Sequence, residues 1–171
     1  MKRYVLTGGP CSGKTTVIRL LAECGHAILP ELAREMIEKE VAKGGNLVPW
    51  IHPQKFEEAI ARRQFWRELR VKRTEVLFLD RGLIDTAAYC AMEGVKIPKI
   101  TSRFGKNRYD KIFLLDLVPF HKQDDSRKEN REFAEKVHKE IRKAYVAFGY
   151  DVIIVPMMTA EERVEFILNS L

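Results

Sequence analysis

No stretch of this sequence approaches the roughly 18 consecutive apolar residues that a membrane-spanning helix requires, so no membrane association is expected. The chain runs from Met1-Lys2-Arg3 into a short apolar strand and then glycines. That strand is too brief for a secretory signal and no small-residue cleavage site follows it, which predicts a cytoplasmic protein. Cysteine is scarce. Cys11, Cys24 and Cys90 share no CxxC spacing and cannot all pair, so neither a disulfide framework nor a zinc site is indicated. Cys24 and Cys90 lie in apolar helical contexts and read as small core residues. Internal repeats and low-complexity linkers are also missing.

What is present is the composition of a folded globular chain, 46% hydrophobic and 32% charged. Its 171 residues suit one domain, 1–171, and leave no room for a second large one. The net charge of +6 is spread along the chain with acids interleaved. A solvated surface plus one phosphate pocket explains it better than nucleic-acid binding.

Strand-like and helix-like segments alternate. Strands are predicted at 3–7, 26–29, 76–79, 111–115 and 152–155. Helical spacing covers 13–24, 31–43, 54–73 (with Phe56, Ile60 and Leu69 on one side), 83–92 and the stripe Phe133, Val137, Ile141, Tyr145 and Phe148. Thr159-Ala-Glu-Glu162 has capping-box spacing before a final helix that buries Val164, Ile167 and Leu168. Five unbroken apolar strands separated by helices imply a parallel sheet covered on both faces, a three-layer α/β/α sandwich. The polar stretch 118–131 reads as a short lid.

Gly8, Gly9, Pro10, Cys11, Ser12, Gly13, Lys14 and Thr15 match G-x-x-x-x-G-K-[ST] in full, with a strand before and a helix after. In this Walker A pattern, glycines let backbone N–H groups turn inward around phosphates and the helix N-terminus adds positive potential. Lys14 supplies a mobile cation to the terminal phosphates, the Thr15 hydroxyl ligates Mg2+, and Thr16 follows in the same turn. Cys11 reads as a small loop residue whose backbone matters, although a helix N-terminus can also depress a thiol pKa.

Asp80 ends the apolar strand 76–79 and Arg81-Gly82 follow it. At the carboxyl end of a parallel strand, Asp80 can hold Mg2+ and Arg81 can face a transferring phosphate; the alternative is an acid capping the next helix. Asp116 ends its strand in the same way. Glu31 and Arg34, three residues apart, share one helix face at the mouth of the sheet. Glu31 then either accepts a proton from a substrate hydroxyl or serves as a first-turn acid with Arg34 as its surface partner. Arg127 and Arg131, in the charged stretch before the long helix, either close over a γ-phosphate or form a solvated face.

Taken in this order, LTGGPCSGKTT (6–16), PELARE (30–35), the helix around Gln64, LFLDRG (beginning at Leu77), RYDKIFLL (108–115), DDSR (124–127) and AEERVEFIL (160–168) resemble a family of small P-loop kinase-like proteins. That family includes the ribosylnicotinamide kinase domain and AAA-type ATP-binding domains. The resemblance implies a five-stranded parallel sheet of nucleoside-kinase type and a lid carrying Arg127. It also implies substrate-side roles for Glu31 and Arg34, beside which Arg81 at the strand end is expected to bind substrate too, and a hydrogen bond from Gln64 to a substrate base. The cofactors it implies are ATP, with GTP open, and Mg2+.

Three functions compete. A small-molecule phosphotransferase accounts for all these residues, with a nucleoside- or nucleotide-like acceptor whose hydroxyl either Glu31 or Asp80 orients as the base. A regulatory ATP or GTP switch is the runner-up, but the guanine motif Asn-Lys-x-Asp is absent and Gly105-Lys-Asn-Arg108 does not replace it. A nucleic-acid motor would need more chain and a basic stripe.

Overall fold

The computed structural model describes residues 1–72, 74–118 and 131–171. Arg127, with nearly all of the expected lid, lies outside the described residues. The strands are β1 (Lys2–Thr7), β2 (Ala27–Leu29), β3 (Val76–Asp80), β4 (Lys111–Leu115) and β5 (Val152–Val155). The described helices are α1 (Lys14–Glu23), α2 (Leu32–Ala42), α3 (Pro53–Arg70), α4 (Asp85–Glu93), α5 (Lys99–Phe104), α6 (Arg131–Ala147) and α7 (Ala160–Asn169).

All four strand pairings are parallel, in the order β2-β3-β1-β4-β5. The strands read as continuous apolar runs because alternate residues bury on opposite faces. Val5, Leu77, Leu79, Ile112 and Leu114 face one core with Leu83, Ala88, Val137, Ile141 and Tyr145. Tyr4, Leu6, Phe78, Phe113 and Leu115 face the other with Val17, Ile18, Leu21, Val164 and Ile167. A smaller cluster of Leu32, Met36, Phe56 and Ile60 ties α2 to α3.

The capping box at α7 forms as expected: the Glu162 amide donates to Thr159 Oγ1, and the Thr159 amide donates to Glu162 Oε2. Among the described residues no helix is long and apolar enough to cross a membrane.

Two expectations need correction, and one helix is an addition. Cys24 is exposed, lying at the C-cap just past the last turn of α1. Leu69 is 48% exposed: α3 buries Phe56 and Ile60, and by its last turn the apolar side has rotated off the packed face. The short helix α5, which follows Pro98, was not anticipated; six residues carry too little periodicity to register.

Candidate functional site

Parallel strands deliver their carboxyl ends to one edge of the sheet, and both motif-bearing ends arrive together. In the β1–β3 register Leu6 lies opposite Asp80, so the acid that closes β3 sits beside the start of the glycine loop after β1.

The loop is held in shape from behind. A Cβ on Gly9 would meet the Ala134 carbonyl of α6 at 2.6 Å, so only glycine permits this approach. From α7, the Arg163 guanidinium donates to three backbone carbonyls: Ser12 at 2.5 Å, Asp116 at 3.0 Å and Pro156 at 3.1 Å. One buried cation thus joins the loop to the ends of β4 and β5. Asp116 contributes through its carbonyl, while its carboxylate lies 3.8 Å from His138 Nε2. Lys14 is 7% exposed, and its ammonium donates to Gly8 O and Gly9 O at 2.8 Å and to Ser12 Oγ at 2.9 Å. Burial, reinforced by Arg81, lowers its pKa to about 8; Asp80, Glu31 and Asp85 oppose that shift.

At the end of β3, Asp80 is 4% exposed and its Oδ1 has no hydrogen-bond partner among the described residues. Burial pushes this carboxyl up to about 6, against the pull of Lys14. The capping alternative is not realised: α4 begins only at Asp85, and no side chain caps its N-terminus. Asp85 instead organises the turn, accepting from Gly82 N at 2.8 Å, Thr7 Oγ1 at 2.5 Å and Tyr145 Oη at 2.7 Å.

Arg81 has a backbone φ of 68° and donates from its amide to Leu6 O at 3.0 Å. Its Nε donates to Glu31 Oε1 at 3.1 Å and its Nη1 to Tyr89 Oη at 2.7 Å. Glu31 precedes α2 but makes no cap bond. Its closer partner is Arg81; Arg34, mostly exposed, is 3.8 Å away. Burial alone would raise the Glu31 carboxyl, but Arg81, Lys14 and Arg34 outweigh it and hold the group below its ordinary value. Gln64 is buried; its Nε2 donates to Glu68 Oε1 at 3.0 Å and to Arg81 O at 3.4 Å. It therefore braces the arginine turn through its amide N–H groups.

These groups border a cleft of about 1330 Å³ between the loop and the wall of α2, α3 and α4, larger than a pocket for one small ligand. Pro10 through Thr16 line one side. Glu31, Arg34, Gln64, Asp80 and Arg81 line the other. Gly8 and Gly9 form the loop's support without lining the cleft, and Arg131 pairs with Glu135 on the outer face of α6 at 2.8 Å. Sequence reasoning missed Asp85, Tyr89, Arg163 and the buried cleft acid Glu57. Of these, only Asp85 left a signal, as an acid in the first turn of the helix after Asp-Arg-Gly.

Among the described residues no three His, Cys, Asp or Glu side chains cluster as a self-sufficient metal cage. Mg2+ does not ask for one, since it is held by one or two protein oxygens together with phosphates and water. The orphaned Asp80 Oδ1 and the hydroxyl of Thr15, an exposed residue lining the same cleft, fit that donor set.

The family model for the AAA domain matches residues 3–163. The chain belongs to the AAA domain family. No curated protein matches this AAA domain by sequence. Solved structures share its fold. Deoxyadenosine kinase from M. mycoides, with dCMP and dCDP bound, is 14% identical with a TM-score of 0.62, covering 98% of this chain and 97% of that one. Thymidylate kinase from Ehrlichia chaffeensis is 16% identical with a TM-score of 0.64, covering 99% and 97%. NadR protein in complex with NAD and AMP-PNP is 19% identical with a TM-score of 0.67, covering 98% of this chain but 49% of that one. The fold of this AAA domain is thus that of the P-loop nucleoside kinases.

Proposed function

We propose that this chain is an ATP- and Mg2+-dependent phosphotransferase whose acceptor is a nucleoside or a nucleotide-like small molecule. One observation carries the reading: Lys14, Asp80, Arg81 and Glu31 are electrostatically coupled around a single cleft that extends past the loop to a second wall. A switch that only held nucleotide would have no use for that further space.

In this reading the loop amides and Lys14 hold the β- and γ-phosphates of ATP, and Thr15 and Asp80 hold Mg2+. Bound there, Mg2+ neutralises charge on the phosphate oxygens. An acceptor hydroxyl oxygen forms the new bond to the γ-phosphorus as the bond to the bridging β–γ oxygen breaks, and ADP leaves with that electron pair. Glu31, kept ionised by Arg81, hydrogen-bonds the hydroxyl and takes its proton. Little basicity is needed, because attack on a loose, metaphosphate-like centre requires only late proton loss. Arg81 and Arg127 spread the charge on the transferred group, and Arg34 and Gln64 contact the acceptor.

The test uses purified protein, γ-labelled ATP, Mg2+ and a panel of nucleosides, nucleotides and sugars. Label is expected in at least one nucleoside or nucleotide product. Glu31→Gln is expected to lower kcat by about 100-fold with the KM for ATP nearly unchanged. Label released only as inorganic phosphate, at one slow rate whatever acceptor is added, would overturn the kinase reading in favour of a regulatory NTPase.

A further inference from the structure

The phosphotransfer residues leave one acid of the cleft without a task. Glu57, on α3, lines the cleft and is 4% exposed. Among the described residues its carboxyl has no hydrogen bond and no ion pair. Seven residues separate it from Gln64, two helical turns, so both stand on the cleft-facing side of α3. Phe56 and Ile60 supply apolar surface beside it on the same wall.

The charged groups that act on Glu57 are Arg81, from the turn after β3, and Glu93 and Asp85, from α4. Arg81 is already engaged by Glu31 and Tyr89, and Asp85 by Thr7, Gly82 and Tyr145. Glu93 adds like charge. Glu58, next along α3, spends its carboxylate on Gln54, and Cys90, packed between α3 and α4, is itself pushed up to about 12 by burial and by Glu57 and Glu58. A carboxylate here would be largely stripped of water and without a paired cation, and the pull of Arg81 is opposed by Glu93 and Asp85, so burial favours the protonated form. In agreement, burial pushes Glu57 up to about 8.

We propose that Glu57 is a specificity-determining residue of the acceptor site, where its protonated carboxyl donates a hydrogen bond to an acceptor atom on the edge of a neutral nucleobase and accepts one from the adjacent N–H. A carboxylic acid presents a donor and an acceptor side by side. Nucleobases offer the matching pair wherever a ring nitrogen adjoins an amino or carbonyl group. A sugar has no such planar edge. A cationic ring would need the ionised form, which the surroundings oppose. The proposal rests on the phosphotransferase reading and narrows its acceptor to nucleosides carrying an uncharged, hydrogen-bonding base.

The test titrates deoxyadenosine, deoxycytidine, thymidine and, as a cationic ring, nicotinamide riboside into the protein loaded with AMP-PNP and Mg2+. Calorimetry at pH 7 in two buffers of different ionisation heat reads proton exchange, and ATP-driven transfer to each nucleoside is followed in parallel. At least one neutral nucleoside is expected to bind with no net proton release. Glu57→Ala should raise its KM about tenfold or more with kcat little changed, whereas Glu57→Gln, which keeps a donor beside an acceptor, should stay within about threefold of wild type.

Three results would overturn the inference while leaving the kinase reading intact: transfer that ignores Glu57→Ala, a Glu57→Gln variant as impaired as the alanine, or preferred binding of the cationic ring with release of one proton. The proton-exchange measurement needs only wild-type protein, so a poorly folded variant does not shield the claim. Absence of both binding and transfer for every nucleoside overturns the inference, and the kinase reading falls with it only if the nucleotides and sugars of the wider panel also take no label.

Discussion

Glu57 makes a stability prediction that needs no ligand. Its carboxyl moves from an ordinary 4.5 to about 8 on folding, with burial as the main cause. A raised folded value means that, between those limits, the native state keeps a proton that the unfolded chain has released. Stability therefore falls as pH rises from about 4.5 to about 8, is free of this penalty below that window and carries it in full above. The ceiling is about 5 kcal/mol; structural relaxation and water in the cleft reduce it. A loss of about 2 kcal/mol between pH 5 and pH 7 is the working expectation.

Glu57→Gln keeps the shape of the side chain and removes the titration. Urea unfolding of both proteins at pH 5, 6, 7 and 8 isolates the effect as a difference, since every other titrating group cancels to first order. The glutamine variant should gain on wild type steadily across the series, by a midpoint shift of about 1 M urea overall. A difference curve flat to within about 0.5 kcal/mol would mean that Glu57 is already ionised and solvated in the fold. The argument from its isolation would then be wrong, and with it the basis for a hydrogen-bond-donating carboxyl in the cleft.

Two further outcomes follow from the geometry. Asp80→Asn removes the charge of the orphaned buried oxygen, so Mg2+-supported transfer should fall by about 100-fold or more while the thermal midpoint holds or rises; an active variant takes Asp80 out of the site. Arg163→Ala strips donors from the Ser12, Asp116 and Pro156 carbonyls, and should cost about 3 kcal/mol and weaken ATP binding in calorimetry. Unchanged ATP affinity would mean that the loop keeps its shape without the α7 arginine.

The architecture was readable because it rests on patterns the chain cannot disguise. Strands buried on both faces must be apolar throughout, so 111–115 and 152–155 stood out at the bounds the strands occupy. The glycine loop and the capping box were equally plain, each being local chemistry at fixed spacing. Leu69 and Cys24 show where that logic stops. Periodicity says which residues share a side of a helix, and only the packing partner decides how far along the helix that side is covered. Charged residues mislead in the opposite direction. On a helix, Glu57 and Arg163 read as solvent-facing, and nothing nearby in the sequence announces that both are buried.

Asp80 and Glu31 each carried two readings that spacing could not separate, and tertiary placement separates them. Strand register sets Asp80 beside the loop, and the turn at Arg81 then decides the rest. With φ at 68°, Arg81 holds a conformation that costs a side-chain-bearing residue on the order of 1 kcal/mol, one that glycine would adopt freely. The turn is nonetheless pinned from three directions: by Leu6 O on the Arg81 amide, by Asp85 on the Gly82 amide and by Gln64 on the Arg81 carbonyl. Cys11, with φ at 57°, is likewise a strained non-glycine residue on the cleft. Strain held this firmly is explained by what the side chain reaches from that backbone, and from this one the guanidinium reaches Glu31. Relaxing the turn would aim Arg81 elsewhere and free the carboxylate it keeps ionised, so backbone conformation and acid–base state at this cleft are one arrangement.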